Sequence, residues 1–430
     1  DVGENRIDGR SGNDTLFGDG GNDTLVGGVG ADSLDGGGGI DLADYLTAGG
    51  RVTVNLATGT GTGFDAEGDR LTGIENIKGS DFSDTLVGDN GDNVIDPSFG
   101  EAGVFENVQG GGGRDTLVID YADARGGPGG GLVGGFFLNS TQQGSFGRAS
   151  DVLATFEDGV LFSEIERLRV TGTAFADEVY GGAGDDVIAT GSGNDTIVAG
   201  SGYDRIQAGD GDDTVSYGTG VNRQLDPFAA TAVFSLDGGR GIDTLSISLA
   251  GATFDVNLQG SAPGVENSGA NFKGGGAAIV GFEILRDVYT GSGSDIVVQQ
   301  GRYDNVIKTG DGADVIISGL GVDNVDAGAD TTGLFLPVSD GAPVATITDA
   351  AAFYGAPGDL IVLDYSSLAA GSTVTSTMTS VASGLTFFTP SVSISGTPTE
   401  TILATNAGSY QSSEGDLVTI NGISLVPNYR

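Results

Sequence analysis

Between Gly9 and Asp44 the chain keeps a nine-residue beat: GRSGNDTLF, GDGGNDTLV, GGVGADSLD, GGGGIDLAD. The fourth residue of each unit is Gly, and the sixth is Asp: Asp14, Asp23, Asp32 and Asp41. The eighth is apolar: Leu16, Leu25, Leu34 and Ala43. The beat returns from Gly172 to Ser216, where Asp177, Asp186, Asp195, Asp204 and Asp213 follow one another at the same spacing. A unit this short cannot bury its own apolar residue. A fixed period therefore means stacked copies, a solenoid.

Units with Gly at position four and Asp at position six begin at 9, 18, 27, 36, 110, 181, 190, 199, 208, 238, 290, 309 and 318. Their aspartates add Asp115, Asp243, Asp295, Asp314 and Asp323 to those already named. Looser units begin at 79, 88, 172 and 299. Asn93 replaces the Asp in the second of these, and Phe82, Phe175 and Arg302 replace the Gly in the others, which weakens the case for ion binding there. Asp65 and Asp69 fall outside every unit.

In the unit GGAGDDVIA at 181–189, Asp186-Val187-Ile188 suits a short strand. Strand side chains alternate, so Ile188 points inward and Val187 outward. The glycines permit positive φ and a tight turn. The loop carbonyls and the Asp186 carboxylate then face one spot. Calcium takes six to eight oxygens, more than one loop supplies, and a second loop stacked above can complete the shell. Magnesium fits less well because it demands strict octahedral geometry. Zinc wants His or Cys, and the chain has neither.

These units resemble the glycine-rich nonapeptide G-G-x-G-x-D-x-U-x of the RTX (repeats-in-toxin) family. The resemblance implies an all-β fold: parallel β-roll blocks with two nonapeptides per turn, interrupted by β-strand insertions. It implies that unit n shares a Ca2+ with unit n+2. Asp14 then works with Asp32, Asp23 with Asp41, Asp186 with Asp204, and Asp195 with Asp213. The lone units at 110 and 238 join a stack only if the insertions fold out and return them. The resemblance also implies secretion to the cell exterior or cell surface, by type I export of an unfolded chain. The ending GDLVTINGISLVPNYR looks somewhat like the strand near such an export signal, without its usual acidic-hydrophobic finish.

The formal net charge is −41, from 59 acidic and 18 basic residues. Such an excess strains any compact state by self-repulsion, so cations belong in the fold. Nucleic acid calls for a basic patch and is excluded as a partner. No run of about 20 apolar residues exists to span a membrane as a helix. A flexible acidic linker would explain the 80 Gly but not the periodic aliphatics at position eight. The chain opens at Asp1 almost inside an array, and reads as part of a longer protein or a processed product.

Larger units overlie the beat. Arrays end in a polar residue and Tyr: Asp44-Tyr45, Asp120-Tyr121, Ser216-Tyr217. They start after an apolar-Glu pattern: Ile74-Glu75-Asn76-Ile77, Ile165-Glu166-Arg167-Leu168, Phe282-Glu283-Ile284-Leu285. Between them lie stretches with strand alternation, such as Val52, Val54 and Leu56. The expected modules are 1–78, 79–171 and 172–289, each an array with an insertion, then an array at 290–332 and a Ser/Thr-rich β region at 333–430. That last region reads as a cap for the final array or as a small β-sandwich. The echo of RDTLVIDY in GDLIVLDY favours the cap. Tyr45, Tyr121, Tyr180, Tyr203 and Tyr303 hold fixed places relative to the repeats, which reads as packing rather than ligand binding.

Without His there is no Ser-His-Asp triad, no HExxH site and no imidazole base. Without Cys there is no thiol chemistry. Carboxylate pairs are expected from the repeats alone. The sequence therefore reads as no enzyme and as having no catalytic residues. The expected role is a calcium-binding structural protein of the cell exterior, such as a surface-layer, sheath, filament or adhesin component. Its expected partners are calcium ions and either its own copies or a cell-surface or matrix partner. The alternative is the calcium-folding export tail of a larger secreted protease, lipase or polysaccharide epimerase.

Overall fold

The computed structural model describes residues 2–98, 105–122, 131–136, 143–149, 156–218, 235–249, 256–260, 269–271, 278–291, 295–299, 305–310 and 314–317. Beyond these it describes separate strands, the last of them Leu425–Pro427. The chain divides into two compact units, Asp1–Gly211 and Asp212–Arg430. Among the described residues the one helical element is the 3-10 turn Phe64–Ala66. Everything else regular is strand.

The triplet after each position-six Asp makes a three-residue strand, because its middle residue alone has an interior to enter. Thr15–Phe17, Thr24–Val26 and Ser33–Asp35 each bury Leu16, Leu25 or Leu34 and leave the first residue more exposed. Each strand pairs in parallel with the strand two units on. Thr15 faces Ser33, and Thr24 faces Leu42. Alternate units thus build alternate rows, and two units complete one turn of a parallel β-roll.

In the first unit, one row runs through Arg6–Asp8, Thr24–Val26, Leu42–Asp44, Asn76–Lys78, Val94–Asp96, Thr116–Asp120, Arg167–Thr171, Val187–Ser192 and Arg205–Asp210, all parallel. The other row comes in blocks. Thr15–Phe17, Ser33–Asp35 and Arg70–Thr72 form the first block. Thr53–Asn55, Thr85–Val87, Phe105–Gln109 and Phe156–Ser163 form the second. Leu132–Phe136, Glu178–Tyr180 and Thr196–Gly200 form the third. Antiparallel hairpins carry the insertions between blocks, by way of Thr60–Thr62 and Gln143–Ala149. The alternation at Val52 and Val54 belongs to such a returning strand, with both residues buried.

The interior is the set of position-eight side chains and their equivalents. Leu86, Ile95, Val108, Leu117, Val179, Ile188, Ile197 and Ile206 are each fully buried. Full burial of such a side chain stabilises by about 1.5–3 kcal/mol. Tyr45 and Tyr121 are buried, as packing residues should be, whereas Tyr180 and Tyr203 are half-buried. Tyr303 lies outside the described residues.

The strand Arg167–Thr171 serves two registers. Thr116 pairs with Arg167, yet Val187, the matching residue of the next turn, pairs with Arg169. The roll shifts by two residues there. Leu168 and Val170 are both inward, one for each neighbour.

In the second unit one parallel row runs through Thr214–Tyr217, Thr244–Ser248, Ile284–Tyr289, Val306–Lys308, Asp323–Asp326, Ala345–Ile347 and Thr377–Met378. Another runs through Asn257–Gln259, Ile296–Val298, Val315–Ile317, Gly333–Pro337 and Leu360–Asp364. Two antiparallel strands, Thr401–Ala404 and Leu425–Pro427, then continue from Leu360–Asp364. The Ser/Thr-rich region therefore joins the last array along these strands; most of 333–430 lies outside the described residues.

The register corrects one unit. Val306 pairs with Asn324, which places Asn305, not Asp304, at position six and turns Ile307 inward. The unit begins at 300 rather than 299. Position four is then Tyr303 rather than Arg302.

Candidate metal centres

Stacking places the position-six aspartates above one another along the edges of the roll. Each carboxylate spends one oxygen on the turn before it. The Asp14 amide donates to Asp32 Oδ1 at 2.8 Å, and the Asp23 amide to Asp41 Oδ1 at 2.7 Å. The Asp186 amide donates to Asp204 Oδ1 at 2.9 Å. These are the pairs two units apart that the repeat implied. The lone units are brought into the same pattern: Asp115 Oδ1 accepts from the Asn93 amide, and Asp243 Oδ1 from the Asp213 amide, both at 2.8 Å. Asp295 Oδ1 accepts from Val256, and Asp314 Oδ1 from Asp295. Asp195 Oδ1 accepts from Asp177.

The other oxygen is the informative one. Asp14, Asp23, Asp32, Asp41, Asp115, Asp186, Asp204 and Asp243 each hold Oδ2 buried with no hydrogen-bond donor. An ionised carboxylate oxygen buried without a partner costs several kcal/mol and is kept only for a cation or a proton. Asp23, Asp32, Asp41, Asp115, Asp186, Asp195, Asp204, Asp213, Asp243, Asp295 and Asp314 are all buried, and Asp14 half-buried. Asp323 heads a strand in register with Ala345; its side chain lies outside the described residues.

Main-chain oxygens converge on the same places. A Cβ added at Gly18 would lie 2.5 Å from Asp23 Oδ2 and 2.5 Å from the Gly36 carbonyl oxygen. At Gly181 the corresponding distances are 2.7 Å to Asp186 Oδ2 and 2.5 Å to the Ala199 oxygen. Where position one is Gly, as in these two units, the space that its missing Cβ keeps clear is lined by one carboxylate and one main-chain carbonyl. Among the described residues no group of three or more His, Cys, Asp or Glu side chains gathers to hold a metal. The donor set is instead a single carboxylate per loop with main-chain oxygens, the hard-oxygen chemistry that suits Ca2+.

Burial shows in the proton affinities. Desolvation pushes Asp204 and Asp243 up to about 7 and Asp115 to about 6. Asp186 is raised well above the usual carboxylate value, first by burial and then by the Asp204 charge. A cation against these oxygens reverses that preference.

Several ladder residues escaped the sequence reading. Asp69, which falls outside the nonapeptide beat, sits in the ladder: the Asp32 amide donates to its Oδ1 at 2.8 Å, and Tyr45 Oη donates to Oδ2 at 2.9 Å. The glutamates that open the arrays also take position six. Glu75, Glu166 and Glu283 accept from the amides of Asp41, Asp115 and Asp243. Glu106, in the like pattern Phe105-Glu106-Asn107-Val108, accepts from Asp84 at 2.6 Å, and burial pushes it up to about 9. A second ladder runs along position five. Asn13, Asn22, Asp92, Asp185 and Asp212 accept from the amides of Ala31, Ile40, Arg114, Tyr203 and Ile242.

Asn93 shows what a neutral residue does at position six. Its Nδ2 donates to the Glu75 carbonyl at 2.8 Å, and its Oδ1 accepts from the Asp89 amide. The amide is satisfied without a cation.

The sequence model of the RTX calcium-binding nonapeptide repeat (4 copies) matches residues 3–43, 71–101, 169–197, 190–223 and 300–332. These stretches take in most of the stacked loops just described. No curated protein matches the chain.

Proposed function

The chain carries RTX calcium-binding repeats and takes multiple Ca2+ as its cofactor, and from that premise we propose that it is a calcium-folded structural protein of the cell exterior. The observation that carries the reading is the row of buried, donorless Oδ2 atoms at Asp14, Asp23, Asp32, Asp41, Asp115, Asp186, Asp204 and Asp243. Asp14, Asp23, Asp32, Asp41, Asp115, Asp186, Asp195, Asp204, Asp213, Asp243, Asp295, Asp314 and Asp323 are assigned as the carboxylate ligands. When bound, Ca2+ supplies positive charge between turns that otherwise stack like charges. The residues themselves orient the carboxylates through the amide bonds to Oδ1, and glycines such as Gly18 and Gly181 keep the space beside Oδ2 clear. Binding energy is then folding energy. At ~10⁻⁴–10⁻³ M, the range of extracellular calcium modules, the switch closes outside a cell and stays open within one.

Repeated blocks, a net charge of −41 and the absence of His and Cys from the sequence support a scaffold rather than a catalyst. No helix among the described residues is long and apolar enough to cross a membrane. The test is circular dichroism of the purified chain, first in chelator and then in millimolar calcium. A coil signal that becomes β on adding calcium is expected. Full β signal in exhaustive chelator at pH 8 would refute the reading. Electron microscopy in calcium then tests the structural role. Ordered fibres or lattices support it, and dispersed particles point to the export tail of a larger secreted enzyme.

A further inference from the structure

Two turns of the roll supply the second carboxylate oxygen from position two of their own loop. In other turns it is donorless, as at Asp23 and Asp186, or, at Asp295 and Asp69, accepts from a single hydroxyl, that of Thr290 at position one or of Tyr45. At Asp84, Oδ2 accepts from the Ser80 amide at 2.6 Å, and the Ser80 hydroxyl reaches Oδ1 at 2.9 Å and Oδ2 at 3.0 Å. At Asp177, Oδ2 accepts from the Thr173 amide at 2.8 Å, and the Thr173 hydroxyl donates to Oδ1 at 2.7 Å. In both turns Oδ1 also keeps its ladder bond, from Val52 and from Leu132. Each carboxylate thus has donors on both oxygens, those to Oδ2 from its own loop. At Asp23, Asp32, Asp41, Asp115 and Asp186 no such donor reaches Oδ2.

The loop backbone differs in step. In regular units, position two has positive φ: Gly28 at 88°, Gly37 at 93°, Gly111 at 103°, Gly182 at 93°, and even Arg10 at 71° and Asp19 at 70°. Position four does too in units such as those of Gly30 (154°) and Gly113 (117°), though not at Gly184. Ser80 and Thr173 at position two, and Phe82 and Phe175 at position four, do not adopt positive φ. Without that turn, the amide and hydroxyl of position two swing onto the carboxylate. The two loops share a pattern, G-S/T-x-F-x-D, at 79–84 and 172–177. Each follows directly on a strand headed by a ladder glutamate, Glu75 or Glu166.

We propose that these two turns are built to stack without calcium, the position-two hydroxyl and amide standing where the cation stands elsewhere, so that the arrays after Glu75 and Glu166 begin on a metal-independent turn. This rests on the calcium-ligand reading above and sorts that reading's sites from turns that only look like them. A turn that is complete before calcium arrives offers the next, calcium-requiring turn a fixed surface to land on, which lowers the cost of starting the stack.

The experiment counts bound calcium by native mass spectrometry of the whole chain, with circular dichroism in calcium to confirm folding. Asp84→Asn and Asp177→Asn should leave the count unchanged, whereas Asp186→Asn should lower it by at least one. Two equivalent turns are available, so failure of one variant to fold leaves the other decisive. The pair Ser80→Gly with Phe82→Gly restores a regular unit and should add an ion. A loss of calcium in Asp84→Asn or Asp177→Asn equal to that in Asp186→Asn overturns the proposal, as does no added ion in the restored unit. If Asp186→Asn also leaves the count unchanged, the ligand assignment itself falls, and this proposal with it.

Discussion

Asp204→Asn should change the sign of its effect with calcium. Asp204 is fully buried, and desolvation raises it to about 7 from an ordinary 3.8. In chelator at pH 8 the folded chain must hold this group ionised against a preference of roughly three units. At about 1.36 kcal/mol per unit, that is on the order of 4 kcal/mol of destabilisation from one residue. Asparagine removes the charge and keeps the oxygen that accepts from the Asp186 amide. Its new Nδ2 needs an acceptor, and an unpaired one would return about 1–3 kcal/mol. Asn93 shows that a position-six amide in this roll can find a main-chain carbonyl. The calcium-free variant should therefore be more stable than the parent by about 1–4 kcal/mol, which urea melts resolve. In millimolar calcium the order should reverse, because the variant lacks a ligand. A variant that is weaker in both conditions, or stronger in both, would refute the argument that Asp204 is strained by burial and relieved by a cation.

Other outcomes follow from the same geometry. For the calcium-free chain, Asp115, Asp204 and Asp243 have folded values above their unfolded ones. Their contribution is fully present below about pH 4 and is lost as pH rises through about 6–7. Dichroism in chelator should thus show β structure gained on acidification, and a signal flat from pH 8 to pH 5 would contradict this. Gly211→Ala should destabilise by about 1–3 kcal/mol through its backbone alone, since φ is 145°, and by more because the added Cβ would meet the Gly193 oxygen at 1.6 Å. A melting temperature equal to that of the parent would count against the stacked-loop geometry.

The period carried the architecture because the position-eight residues and the position-six aspartates are local facts, repeated at fixed intervals. What the period could not carry is pairing across insertions. Asp69 precedes Arg70-Leu71-Thr72 as Asp32 precedes Ser33-Leu34-Asp35, yet an inserted hairpin and a helical turn separate it from the beat. Glu75, Glu106, Glu166 and Glu283 stand at position six with one more methylene, so a search for Asp passes over them. The misplacement of the unit at 300 by one residue has the same origin: Asp304 and Asn305 are adjacent, and only the partner strand decides which lies on the ladder. The capped turns were visible as lost glycines, Phe82 and Phe175, but the compensating hydroxyls had no meaning before the loop conformation was known.

The two ladders run opposite ways: at position six the carboxylate that serves an amide belongs to a residue later in the chain, and at position five the accepting side chain belongs to an earlier one. A turn is therefore held from both sides, by its successor at position six and by its predecessor at position five. The roll is keyed like courses of brick, and a cut at either end leaves a scar of its own kind: truncating the carboxyl end strips the last turn of its position-six acceptor, and trimming the amino end strips the first remaining turn of its position-five acceptor.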